Sequence, residues 1–87
     1  MKRYKLIKYH SEGERFQAKD EFGENIYLDL TTDSSFPEIN DSDAYKNCKS
    51  KEEFTVLMKS FEGKTIECEG IHPYIPVYFV GAGRFVS

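Results

Sequence analysis

Short runs in which apolar and polar residues alternate are the feature of this 87-residue sequence that most restricts its fold. In the runs 15–20 and 26–31, apolar residues stand at alternate positions (16 and 18; 26, 28 and 30), so that an extended chain would present one apolar side. Such alternation is typical of half-buried strands. Turns containing Gly13 and Gly23 separate the runs. We therefore predict an antiparallel meander of three strands, the first over 4–9.

The remaining β-like runs are the first strand and two runs near the end of the chain. The adjacent apolar pair Leu6-Ile7 breaks the alternation of the first strand and indicates a bulge or burial on both sides. Two further strands are predicted over 64–71 and 77–86, joined by a turn that contains two prolines. Ile66 and Cys68 are predicted to point inward.

One segment has the signature of a helix. Ser50 and Glu53 form a capping box, in which each side chain can bond the backbone amide of the other residue. Apolar residues follow at the spacing of one helix face: Phe54, Leu57, Met58 and Phe61. Gly63 stands where a glycine commonly ends a helix. The sequence predicts a helix at about 50–62.

The order of elements, β-β-β-α-β-β, favours a closed barrel, because closure removes exposed strand edges. The segments 16–23 and 26–28 resemble the second and third strands of OB-fold domains, and 63–70 is similar to the start of their fourth strand. The resemblance implies a mostly β chain: a small five-stranded antiparallel OB-type barrel in one domain, 1–87, with a long polar loop at 32–49. An SH3-like or other small barrel and an open α+β sheet remain alternatives.

No residue pattern indicates catalysis or a metal site. Cys48, Cys68, His10 and His72 lack the close pairing of zinc ligands, so we expect no metal and no cofactor. The sequence contains no nucleophile motif or phosphate-binding glycine loop before a helix. We expect a non-catalytic binding module and not an enzyme.

The charge and apolar content bear on compartment and partners. The formal net charge is −3, which is less favourable for nucleic-acid binding than a basic chain, although a groove can be basic on an acidic body. No apolar run is long enough for a signal peptide or a membrane span. We therefore expect a cytoplasmic monomer with reduced thiols and no membrane partner.

Basic and aromatic residues on the predicted outward face favour weak binding of single-stranded DNA or RNA. OB folds that bind oligonucleotides use the second and third strands with adjoining loops, where cations contact phosphates and aromatic rings stack on bases. We predict that Arg15, Lys19 and Lys8 contact the backbone and that three tyrosines stack. The candidate nucleic-acid-binding residues are Lys5, Lys8, Arg15, Gln17, Lys19, Tyr27, Tyr74, Tyr78 and Arg84.

The alternative hypothesis is a protein–protein interaction module. An extended peptide could add to the same groove. The acidic loop 33–43 could also contact a basic partner, and Phe36 and Ile39 within it need burial or a partner. Nucleic-acid binding predicts a steep loss of affinity with salt, whereas a protein partner predicts an exposed apolar patch.

Overall fold

Five strands form a closed barrel in the computed structural model, which describes residues 1–31, 36–74 and 77–86. The strands are β1 (Lys2–His10), β2 (Arg15–Lys19), β3 (Asn25–Asp29), β4 (Thr65–Tyr74) and β5 (Val77–Phe85). Their order around the barrel is β1-β2-β3-β5-β4. Neighbouring strands are antiparallel except β3 and β5, which run parallel and close the barrel. The prediction of a mostly β chain that forms a small five-stranded barrel is confirmed, and the barrel is consistent with an OB-like fold; the β3–β5 ladder is parallel, whereas the prediction was antiparallel.

The apolar faces that the alternation predicts point into the barrel. Its buried apolar residues are Tyr4, Leu6, Tyr9, Phe16, Ala18, Leu28, Leu30, Phe36, Ile39, Met58, Ile66, Cys68 and Val80. Ile26, predicted to share this side, is half-buried and packs against the same cluster. Full burial of one large apolar side chain contributes roughly 1.5–3 kcal/mol, so this cluster is the main source of stability.

A bulge in β1 sets which of its residues face outward. The register with β2 shifts between Leu6 and Lys8, as the adjacent pair Leu6-Ile7 predicts. Leu6 and Tyr9 are buried, whereas Ile7 and Lys8 are both exposed. The shift restores alternation with Tyr9 inward, so that Lys8 and His10 lie on the outer face.

The predicted helix is present as α3 (Lys51–Lys59). Ser50 Oγ accepts from the Glu53 amide at 3.1 Å, as expected, but Glu53 Oε2 accepts from the Lys49 amide at 2.8 Å and not from Ser50. Met58 is buried, and the other three apolar residues of the face pack half-buried on the core. In the described part of the chain, no helix is both long and apolar enough to cross a membrane.

In its described part, 36–49, the segment predicted as a polar loop contains two short helices, α1 (Pro37–Asn40) and α2 (Asp43–Lys46). Phe36 and Ile39 are fully buried in the barrel core. Two apolar side chains therefore attach residues 36–40 to the barrel, in agreement with the expectation that Phe36 and Ile39 need burial or a partner. Residues 32–35, including Asp33 of the predicted acidic loop, lie outside the described residues.

Candidate functional site

The outer surface of β1, β2 and β3 carries most of the predicted binding residues in aligned rows. Directly paired residues on neighbouring strands point to the same side of a sheet. The register gives three rows: Lys5, Lys19 and Asn25; Lys8, Gln17 and Tyr27; His10 and Arg15. We call this surface the β1–β2–β3 face. It brings together six predicted residues: Lys5, Lys8, Arg15, Gln17, Lys19 and Tyr27.

Tyr27 is an exposed aromatic ring on this face, on strand β3. The Arg15 guanidinium carbon lies 5.0 Å from the centroid of the Tyr27 ring, a cation–π arrangement. The His10 ring meets Tyr27 edge-on at 6.1 Å, and His10 Nε2 lies 3.4 Å from Gln17 Oε1. Tyr27 nevertheless remains 37% exposed. The ring is thus oriented by its neighbours while part of its surface stays open to a ligand.

His10 is a member of the face that sequence reasoning missed. It pairs with Arg15 across β1 and β2 and is half-buried against Tyr27. The predicted first strand ended one residue earlier, at Tyr9. The bulge at Leu6-Ile7 was the available signal, because the shifted alternation after it places Lys8 and His10 on the same side.

Tyr9 forms the floor beneath this face. Its ring lies 4.9 Å from the Phe16 ring and 6.3 Å from the Phe54 ring. Burial, and then the nearby carboxylates of Glu14 and Asp29, raises the pKa of Tyr9 to about 12. Its hydroxyl has no hydrogen-bond partner among the described residues. Tyr9 therefore remains neutral at physiological pH and supports the face by packing.

Tyr78 does not join the face. It pairs with Leu28, which is fully buried, and its ring packs half-buried against the core. The prediction that Tyr78 faces outward is wrong, because the cross-strand partner fixes the side on which a residue lies. The neighbouring Phe79 pairs with Asp29 and His72 and so shares their side of the sheet.

Arg84 lies on another side of the barrel, in a charged row across β1, β4 and β5. Its Nη2 is 2.8 Å from Glu67 Oε1, and Arg3 Nε is 3.2 Å from Glu67 Oε2. Glu67 is only 9% exposed between the two guanidinium groups. Arg84 therefore has a structural partner and is separated from the β1–β2–β3 face. The backbone of Tyr74 pairs with Val77, and its side chain lies outside the described residues.

Comparison of the chain with protein-family models, curated proteins and solved structures found no match. Within the described residues, no three His, Cys, Asp or Glu side chains are grouped so that they could hold a metal ion. Cys48 and Cys68 are both free thiols, and burial raises the pKa of Cys68.

The ion pairs of Glu67 predict a specific acid dependence of stability. Hydrogen bonds from Arg84 and then Arg3 lower the pKa of Glu67 below its ordinary value of 4.5. A carboxylate with a lowered folded-state pKa stabilises the fold above its unfolded-state pKa, and this stabilisation is lost as the pH falls through the folded-state value. We expect Glu67→Gln to be less stable than wild type at neutral pH and to lose less stability below about pH 4.5.

Urea unfolding from neutral pH to about pH 3 measures this difference. Glu69→Gln is the matched control. Glu69 is exposed on the same strand, and its substitution removes the same charge. The control should keep the wild-type pH profile. A Glu67→Gln profile that runs parallel to wild type would show that the two arginines do not stabilise the folded carboxylate.

Proposed function

We propose that this protein is a non-catalytic OB-like module that binds single-stranded nucleic acid weakly across the β1–β2–β3 face. The observation that carries the proposal is the Arg15–Tyr27 pair, set among outward lysines on two adjoining strands. Cations for phosphates beside an exposed aromatic ring for a base are the combination that sequence-tolerant single-strand binders use.

The lysines on this face support binding of an anion. Lys5 and Lys19 pair directly across β1 and β2, and both are exposed. Like charges directly opposite each other on a sheet are destabilising. Among the described residues, the ion pairs are those of Arg3 and Arg84 with Glu67, so neither lysine has an acidic partner there. A phosphate between Lys5 and Lys19 would remove their repulsion.

The aromatic content of the face is consistent with weak binding of a short strand. Stacking of one base on an aromatic side chain contributes roughly 1–3 kcal/mol. Tyr27 supplies one exposed ring, with Phe79 half-buried beyond Asp29. The Asp29 carboxylate would repel a phosphate, although its Oδ1 already accepts from the amide and hydroxyl of Thr31. We expect one stacked base flanked by phosphate contacts.

Reversing two charges on the face tests the proposal. We expect the double variant Arg15→Glu/Lys19→Glu to weaken binding of a mixed-sequence single-stranded oligonucleotide by about tenfold or more and to reduce its salt dependence. The measurement is an NMR amide-shift titration at low and at physiological salt. Lys46→Glu/Lys49→Glu is the matched control, because both lysines are exposed in and after α2, outside the face.

Shifts that cluster on β1, β2 and β3 and fade with salt would support the proposal. Equal affinity of the two double variants would contradict the assignment of the face, and absence of shifts at low salt would contradict nucleic-acid binding. A protein partner at the acidic segment would then be the next hypothesis. We do not propose it as a second function, because Phe36 and Ile39 of that segment are buried in the chain's own core.

A further inference from the structure

A cleft of about 300 Å³ lies between the β1–β2 turn and the last turn of α3. Its lining includes Lys8, His10, Ser11, Glu12, Arg15 and Lys59. Lys8, His10 and Arg15 also belong to the β1–β2–β3 face, so the cleft is continuous with that face at its helix end. Lys59 is the one cation in this set that comes from a helix.

Hydrogen bonds hold both sides of the cleft, the end of β1 near α3 and the β1–β2 turn, in position. None of these contacts is an ion pair of a cleft cation. Tyr9 donates its amide hydrogen to Glu62 Oε2 at 2.7 Å, which attaches the chain after α3 to β1. On the other wall, Arg15 Nη1 donates to the Glu12 carbonyl at 3.2 Å while the guanidinium lies over Tyr27. The positions of the charged groups are therefore partly set before any ligand binds.

The charge of the cleft is unbalanced. Lys8, Arg15 and Lys59 contribute three cations, against the carboxylate of Glu12 in the lining and that of Glu62, which accepts from the Tyr9 amide beside it. Within the described residues, none of these three cations forms an ion pair. Glu14 and Asp29 lie near the Tyr9 hydroxyl beneath the face, which limits the positive potential without pairing the cations. An anion with several oxygens could accept hydrogen bonds from the lysine and arginine donors together.

We propose that this cleft is a phosphate site and that Lys59 is one of its binding residues. The ligand class is the phosphate group of a nucleotide strand, an assignment that rests on the proposed function. A base stacked on Tyr27 lies beside Arg15, which lines both the face and the cleft, so a phosphate of the same strand reaches Lys59. The helix therefore contributes to ligand binding as well as to the barrel core.

The test measures binding of two probes, sodium tripolyphosphate and a single-stranded oligonucleotide, to wild type, Lys59→Ala and Lys51→Ala. Lys51→Ala is the matched control, because Lys51 is exposed at the other end of the same helix. We expect both probes to shift the amides around Lys8, His10 and Lys59. Lys59→Ala should weaken binding of each by about threefold, a typical effect of one exposed charge pair, and should lower the oligonucleotide salt slope by about 0.7.

The outcomes separate this inference from the proposed function. If Lys59→Ala and Lys51→Ala bind the oligonucleotide with equal affinity, the assignment of a phosphate site to the cleft is overturned, and the proposed function is left intact. Tripolyphosphate binding that depends on Lys59, without oligonucleotide binding, would support a phosphate site and overturn the proposed function. Binding of neither probe would overturn both.

Discussion

Replacing Phe36 with alanine is expected to lower the free energy of unfolding by about 3–5 kcal/mol. Phe36 is fully buried, and its ring meets the Phe85 ring edge-on with centroids 4.8 Å apart. Removing it leaves a cavity between α1 and β5 and releases the attachment of residues 36–40 to the barrel. Small domains are typically stable by about 5–15 kcal/mol, so this variant would lose a large fraction of the total.

Urea unfolding followed by circular dichroism measures the loss, and Phe22→Ala is the matched control. Phe22 is 88% exposed in the β2–β3 turn, so the same truncation there should change stability by no more than about 0.5 kcal/mol. Equal stability of the two variants would mean that Phe36 does not pack in the core.

Adding one methyl group at Gly83 is expected to destabilise the protein by about 1–3 kcal/mol. A Cβ at this position would lie 2.6 Å from Cε2 of Phe36 and 3.0 Å from Cγ1 of Val80. Both neighbours are buried, so neither can move away into solvent. The glycine therefore makes room for the Phe36 ring against the surface of β5.

Gly70→Ala is the control for this effect, since a Cβ at Gly70 on the neighbouring strand would have no neighbouring atom within 4 Å. Its stability should stay close to wild type in the same urea experiment. A double-mutant cycle gives a sharper test, because Phe36→Ala removes the ring that the added methyl group would meet. Strictly additive losses for Gly83→Ala and Phe36→Ala would contradict a steric origin.

Local patterns predicted those elements whose signal lies within a single segment. Alternation placed Phe16 and Ala18 inward, and the capping box located α3. Tyr78 was misplaced because the side on which it lies depends on its pairing with Leu28, which is distant in the chain. Phe36 could be predicted to need burial, but the space opposite Gly83 that receives it exists only after β5 joins the barrel.

In the candidate site too, features that depend on one segment could be predicted, and features that depend on distant segments could not. Arg15, Lys19 and Tyr27 could be placed on one face because neighbouring strands in a meander extend the same alternation, and Lys8 joins them through the bulge after Leu6. The Glu67 pairing of Arg84 and the approach of Lys59 to β1 depend on contacts between distant segments. No periodicity within one segment reports such contacts, so the charge partner of Arg84 and the cleft beside Lys59 were missed.

The parallel ladder between β3 and β5 has a consequence for the order of folding. Its pairs, Leu28 with Tyr78 and Asp29 with Phe79, join strands separated by the whole helical segment and β4. Contacts between such distant residues require closure of a long loop, as do those between β1 and β4, so both ladders form late, after the β1–β2–β3 meander and the β4–β5 hairpin. The β3–β5 ladder has two residue pairs where β1–β4 has four, so we expect the barrel to open first there, and amide hydrogens along it should exchange with solvent sooner than those between β1 and β2.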